Sequence, residues 1–199
     1  MRAIATAALS TVLLSSGAAP LAAADWAEGM LKDNWLTELH LLAGARLLDN
    51  DWDGGPQTLI GGGIQYQTRR LDWPVGIQVG FTYAQGDEDK NGVKSDIIAR
   101  EFQVGAYYPI SLGRQFRIDV GAGALVHLMT IEAETTDVVE EDLATVSLYA
   151  QVMPHFALTP TFDIGMIARY SYGTADVDLV DEDVNPGGLG IFAAIGMRF

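Results

Sequence analysis

The chain has 199 residues, with 26 acidic side chains against 12 lysines and arginines, a net charge of −14, and no cysteine. The acidity excludes nucleic-acid binding through phosphate neutralisation. The lack of cysteine excludes a disulfide framework, a thiol nucleophile or a cysteine metal cluster. Beyond the N-terminus no run of about 18 apolar residues exists, so a helical membrane protein is not expected.

Taken in order, Met1 to Ala24 has the layout of a secretory signal peptide. Arg2 is the positive start, Ala3 to Leu14 the apolar stretch, and Ala22-Ala23-Ala24 the small-residue cleavage site, with cleavage expected before Asp25. Asp25 to Asn34 (25-34) is a short lead-in. Ten residues make a marginal helix, so a periplasmic tail is expected there rather than an interfacial helix.

From Trp35 onward (35-199) the chain alternates apolar and polar residues with period two in eight segments. They are Trp35 to Leu48, Thr58 to Arg69, Asp72 to Ala84, Ile97 to Tyr108, Gln115 to Ile131, Leu143 to Leu158, Thr161 to Gly173 and Gly190 to Phe199. The third is the clearest, with Trp73, Val75, Ile77, Val79, Phe81 and Tyr83 on one face. Gly76, Gln78, Gly80 and Thr82 occupy the other.

The connections alternate between long and short. The long ones are Asp49 to Gln57, Gln85 to Asp96, Glu132 to Asp142 and Thr174 to Gly188. The short ones centre on Arg70-Leu71, on Pro109 to Arg114 and on Thr159-Pro160. Such segregation marks a transmembrane β-barrel with extracellular loops and periplasmic turns. Acids concentrate on the long connections, as in Glu140-Glu141-Asp142 and Asp181-Glu182-Asp183, whereas the short turns carry Arg69, Arg70 and Arg114. The apolar faces place Trp35, Tyr66, Trp73 and Phe199 near one rim and Tyr83, Tyr170 and Tyr172 near the other, as two aromatic girdles would lie.

The fold class read from these patterns is all-β: an eight-stranded antiparallel up-and-down transmembrane barrel. With its terminal Gly-Met-Arg-Phe, the stretch from Trp35 to Phe199 resembles the small outer-membrane barrels of the OmpA, OmpX, OmpW and opacity-protein type. That resemblance implies a Gram-negative outer-membrane location and lipid and lipopolysaccharide as surroundings. It also implies delivery by the barrel-assembly machinery, with Phe199 as its recognition signal. A barrel of eight strands has an interior just filled by side chains, so no open pore is expected.

The inward-facing positions include Glu38, His40, Arg46, Arg69, Glu101, Arg117, Asp119, His127, His155, Asp163, Arg169 and Arg198. Buried charges must pair, so a mutually paired polar network is expected, with Arg198 meeting Glu38 or Asp163. No catalytic group, cofactor or interior metal is read from these residues. A lipid A-modifying enzyme is the alternative in which His127 and Ser147 would form a nucleophile couple. The deacylase pattern His-x-Ser is absent, because Leu128-Met129 follow His127. A conduit for small apolar molecules of the OmpW type is a further alternative. The acidic loops are candidates for divalent cations, but they lack the spacing of a defined calcium loop.

Overall fold

The computed structural model describes residues 34–49, 57–90, 93–134, 138–173, 175–177, 182–184 and 187–199. The expected signal peptide, its cleavage site and the lead-in up to residue 33 lie outside these residues. Among the described residues no helix is long and apolar enough to cross a membrane.

Eight strands form one closed antiparallel barrel. They are β1 (Trp35–Leu48), β2 (Thr58–Arg70), β3 (Gly76–Lys90), β4 (Val93–Ser111), β5 (Phe116–Glu134), β6 (Val138–Ala157), β7 (Phe162–Tyr172) and β10 (Gly188–Arg198). A short separate hairpin, β8 (Ala175–Val177) with β9 (Glu182–Val184), stands between β7 and β10. Each barrel strand pairs with its neighbour in the barrel order, and β10 returns to β1 in a register running from Glu38↔Arg198 to Leu48↔Gly188. Closure gives every barrel strand a paired neighbour on both sides, the condition for a sheet in lipid.

The alternation in the sequence becomes an inside and an outside. Leu41, Ile60, Val104, Leu148 and Ile195 are exposed on the outer wall, while Glu38, Gln65, Gln103, Gln151 and Asp163 are buried within. This is the reverse of a water-soluble barrel. The Gly61-Gly62-Gly63 run does not break β2, because its backbone stays in register with Ala84, Tyr83 and Thr82 of β3.

Three regions depart most from the sequence expectation. β3 starts at Gly76, not Asp72. Pro74 has no N–H for a ladder, and the residues before it turn instead, with the Trp73 amide donating to the Arg70 carbonyl at 3.0 Å. Trp73 still joins the rim, its ring centroid 6.5 Å from that of Trp35. Second, much of Gln85 to Asp96 and of Glu132 to Asp142 is not loop. β3 and β4 stay paired out to Lys90↔Val93, and β5 and β6 out to Glu134↔Val138. Charged side chains do not prevent a backbone ladder, and Asn91-Gly92 is a strong short hairpin signal. Third, the segment Thr174 to Gly188 contains the β8–β9 pair.

The short turns close tightly. The Leu112 amide donates to the carbonyl of Phe116 at 2.9 Å around Gly113, whose φ of +106° suits glycine. At the terminus the Phe199 amide donates to the Thr37 carbonyl at 2.9 Å, tying the last residue to β1.

Candidate functional site

The barrel interior is the place where chemistry-bearing side chains converge. It is filled in four tiers from the short-turn mouth to the long-hairpin mouth.

The lowest tier is ionic. Arg117 and Asp119 share a face of β5 because they are two residues apart. Glu38 of β1 stands directly opposite Arg198 of β10. Glu38 accepts from Arg117 Nη1 at 3.0 Å and from Arg198 Nε at 2.7 Å, and Arg117 Nη2 reaches its other oxygen. Arg117 Nε lies 2.8 Å from Asp119 Oδ1, an ion pair without hydrogen-bond alignment, and Nη2 donates to Asp119 Oδ2 at 3.1 Å. His155 of β6 bridges two carboxylates: Nε2 is 3.0 Å from Asp119 Oδ2 and Nδ1 is 3.4 Å from Asp163 Oδ1. His40 Nε2 approaches the same Asp163 oxygen at 3.5 Å. Arg198 Nη2 is 4.0 Å from Asp163 Oδ2.

The second tier divides into two halves. On one side lies a glutamine network. Gln103 donates to Gln65 at 2.7 Å, Gln151 and Gln67 donate to Gln78 at 3.1 and 3.3 Å, and Gln78 donates to the Tyr149 hydroxyl at 2.8 Å. Gly105 makes this possible: a Cβ there would lie 2.3 Å from the Tyr149 oxygen. On the other side Leu42, Met153, Ile167, Phe192 and Ala194 form an apolar cluster.

The third tier centres on Glu101. It pairs with Arg46, accepts from Thr82 Oγ1 at 2.8 Å, and lies 3.2 Å from His127 Nδ1 and 3.7 Å from Arg169 Nη1. Arg169 also donates to Gln151 Oε1 at 3.3 Å, and its guanidinium carbon is 5.7 Å from the Tyr149 ring centroid. Arg46 Nη2 donates to the Gly187 carbonyl at 3.3 Å. Above this sits the fourth tier, an apolar cap of Leu48, Leu59, Ala84, Ile97, Ala99, Met129, Ile131 and Leu143.

The twelve inward positions named from the sequence therefore fall into two groups. Glu38, His40, Arg117, Asp119, His155, Asp163 and Arg198 meet in the lowest tier. Arg46, Glu101, His127 and Arg169 meet in the third. Arg69 stands apart, half-buried at the lower mouth, with Nη1 donating to the Trp73 carbonyl at 2.8 Å. The glutamine network was legible as inward polar residues, but the apolar cap was not. Its signal is apolar pairs such as Leu47-Leu48, Ile97-Ile98 and Leu128-Met129, where both faces of a strand are apolar at once.

His127 and Ser147 do not meet as a couple. The register sets His127 opposite Thr145 and Ser147 opposite Leu125, and His127 Nδ1 is engaged with Glu101 and Arg46. The buried Ser147 hydroxyl has no hydrogen-bond partner among the described residues. Of the acidic connections, Asp87, Asp96, Glu132 and Glu140 fall in one row across β3 to β6. The side chains of Glu140, Glu141 and Asp181 to Asp183 lie outside those described.

A closed barrel of eight antiparallel strands, apolar outside and polar within, is the architecture of small bacterial outer-membrane proteins. No sequence-family description matches the chain, and no curated protein matches it in sequence. Solved structures do match. Ail, the attachment invasion locus protein of Yersinia pestis, superposes with a TM-score of 0.55 at 14% identity, covering 84% of this chain and 99% of that one. A major outer membrane protein of Thermus thermophilus gives 0.56 at 11% identity, covering 83% and 99%. Neisserial surface protein A gives 0.53 at 14% identity, covering 83% and 96%. At these identities the likeness is one of fold.

Proposed function

We propose that the chain is a non-enzymatic outer-membrane barrel with a structural or surface-interaction role and no open pore. The single observation that carries this is the tiered filling of the interior. Glu38, His40, Gln65, Gln67, Asp119, His127 and Met153 are all fully buried across the lumen, from the lower mouth to below the cap. An apolar outer wall supports placement in lipid, and the fold shared with known outer-membrane proteins supports the bacterial outer membrane as that lipid. Lipopolysaccharide and the barrel-assembly machinery are then the partners, with Phe199 as the assembly signal.

The surface role rests on the hairpins at the long-connection rim. Ail has been solved with the heparin analogue sucrose octasulfate. The row Asp87, Asp96 and Glu132 has the opposite charge to what a polysulfate requires, so a cationic partner suits this rim better. Divalent cations held there remain part of the proposal. The apolar cap favours the conduit for small apolar molecules only as far as its floor, where the Arg46–Glu101 pair closes the path.

Planar-bilayer recording of the purified barrel tests the proposal. Absence of stable conductance is the expected result. Steady ohmic current from single insertions would contradict it.

A further inference from the structure

We propose that His40, His155 and Asp163 form a binding site for a zinc-class divalent metal ion at the short-turn mouth of the barrel. The site needs only the barrel interior and is independent of the outer-membrane role.

Three strands bring the donors together. Asp163 of β7 lies opposite Gly196 of β10, and Gly196 lies opposite His40 of β1. Gly196 holds the gap open, because a Cβ there would sit 2.4 Å from Asp163 Oδ1 and 2.6 Å from His40 Nε2. His155 approaches from β6. One donor atom from each residue lies within 4.8 Å of the others.

The edge lengths discriminate. Zinc bonds to imidazole nitrogen and carboxylate oxygen are about 2.0–2.2 Å, so a tetrahedral site has donor–donor edges of about 3.3–3.6 Å. His40 Nε2 to Asp163 Oδ1 is 3.5 Å and His155 Nδ1 to the same oxygen is 3.4 Å. These two edges match a shared metal, and the third, between the two imidazoles, lies within 4.8 Å. As hydrogen bonds they are poor, and the His40 contact fails hydrogen-bond geometry altogether.

His40 supplies the second observation. It is fully buried, yet neither ring nitrogen has a hydrogen-bond partner among the described residues. Asp163 Oδ2 is also without one. Buried polar atoms are seldom left so, and a metal would take up His40 Nε2, one of the orphaned atoms. His155 carries the accessory contact typical of metal-binding histidines: its far nitrogen, Nε2, faces Asp119 Oδ2 at 3.0 Å, which leaves Nδ1 to face the site.

Charge points the same way. The lowest tier holds three carboxylates, Glu38, Asp119 and Asp163, against two guanidiniums, Arg117 and Arg198. With neutral imidazoles, carboxylates exceed guanidiniums by one among these five paired groups. Two histidines and one carboxylate suit zinc among the common divalent ions. A cavity of about 190 Å³ reaches His155 and Asp163 from the lower mouth, giving the ion a path and room for a further ligand. Arg69 and Arg114 line the same cavity and oppose a cation's approach, so the affinity falls below that of a structural zinc site.

The test is calorimetric titration of the untagged, refolded barrel with Zn²⁺, repeated with Co²⁺ as a visible-absorption probe of coordination. One saturable site per chain is expected. H40Q and D163N should each weaken binding at least tenfold, while H127Q, which alters the third histidine in the upper tier, should leave it unchanged. D119N should weaken it about 10- to 100-fold with all three donors intact. Should D163N fail to fold, H40Q still decides, because the His40 side chain makes no hydrogen bond among the described residues. No saturable binding at millimolar metal overturns the proposal, and so does binding that survives H40Q or disappears in H127Q.

Discussion

The two ionic tiers of the lumen solve the same problem in opposite ways. Among the described residues the upper one has a single carboxylate, Glu101, against two guanidiniums, Arg46 and Arg169. Its excess positive charge is spread over the Gln151 and Gly187 carbonyl oxygens and the Tyr149 ring, and an apolar cap seals it. The lower one has an excess of carboxylate, histidines beside it and a cavity that opens to solvent. A buried charge with no water nearby must be matched locally. A charge with an opening can recruit a counter-ion. Location relative to the cap therefore decides how each tier tolerates substitution.

The largest effect should follow the loss of Glu101. E101Q leaves Arg46 and Arg169 buried, each only 3% exposed, without their carboxylate. Breaking such a pair costs about 3–5 kcal/mol, read as a shift of the urea unfolding midpoint in detergent. Next comes the cap. Leu59 is fully buried there, and L59A should cost about 3 kcal/mol by leaving a cavity. A smaller loss would mean the cap collapses and the upper tier is less sealed than described.

In the lower tier E38Q should cost less, about 2 kcal/mol. Arg117 keeps Asp119, and Arg198, at 29% exposure, can turn to water. R198M should cost about 1 kcal/mol, since Arg117 still holds Glu38. If E38Q proves as damaging as E101Q, the contrast between the tiers is wrong. The smallest effect belongs to the outer row of Asp87, Asp96 and Glu132. Like charges facing each other across strands repel by a few tenths of a kcal/mol. D87N should therefore stabilise slightly at low salt and lose that effect at high salt.

The contrast was only half legible in the sequence. Side-chain parity on β5 put Arg117 and Asp119 on one inner face, because period two is fixed by the backbone. Which charges met was another matter. Glu38 finds Arg117 across the lumen, not along a ladder, and lumen geometry depends on closure and strand tilt that no local pattern encodes. The cap was hidden for a related reason: where both faces of a strand are apolar, alternation vanishes and the inner face is not marked. The ladders of β3 to β6 ran on into acidic sequence because hydrogen bonding between backbones is indifferent to charge. At Trp73-Pro74 the opposite held, since an alternating side-chain pattern continued where Pro74 could not supply a ladder donor.

Both ionic tiers require a wall whose two faces alternate between lipid and a filled interior. Because the chain has no cysteine, single cysteines can be placed along β6 in bilayer-reconstituted protein and spin-labelled. Collision rates with oxygen and with a water-soluble nickel reagent then report each position's surroundings. Period two is the expected result: Val146, Leu148 and Val152 open to oxygen, as lipid-facing sites are, with Ser147, Gln151 and Met153 shielded from both reagents. Nickel access at the Val146, Leu148 and Val152 positions, or no alternation at all, would contradict it.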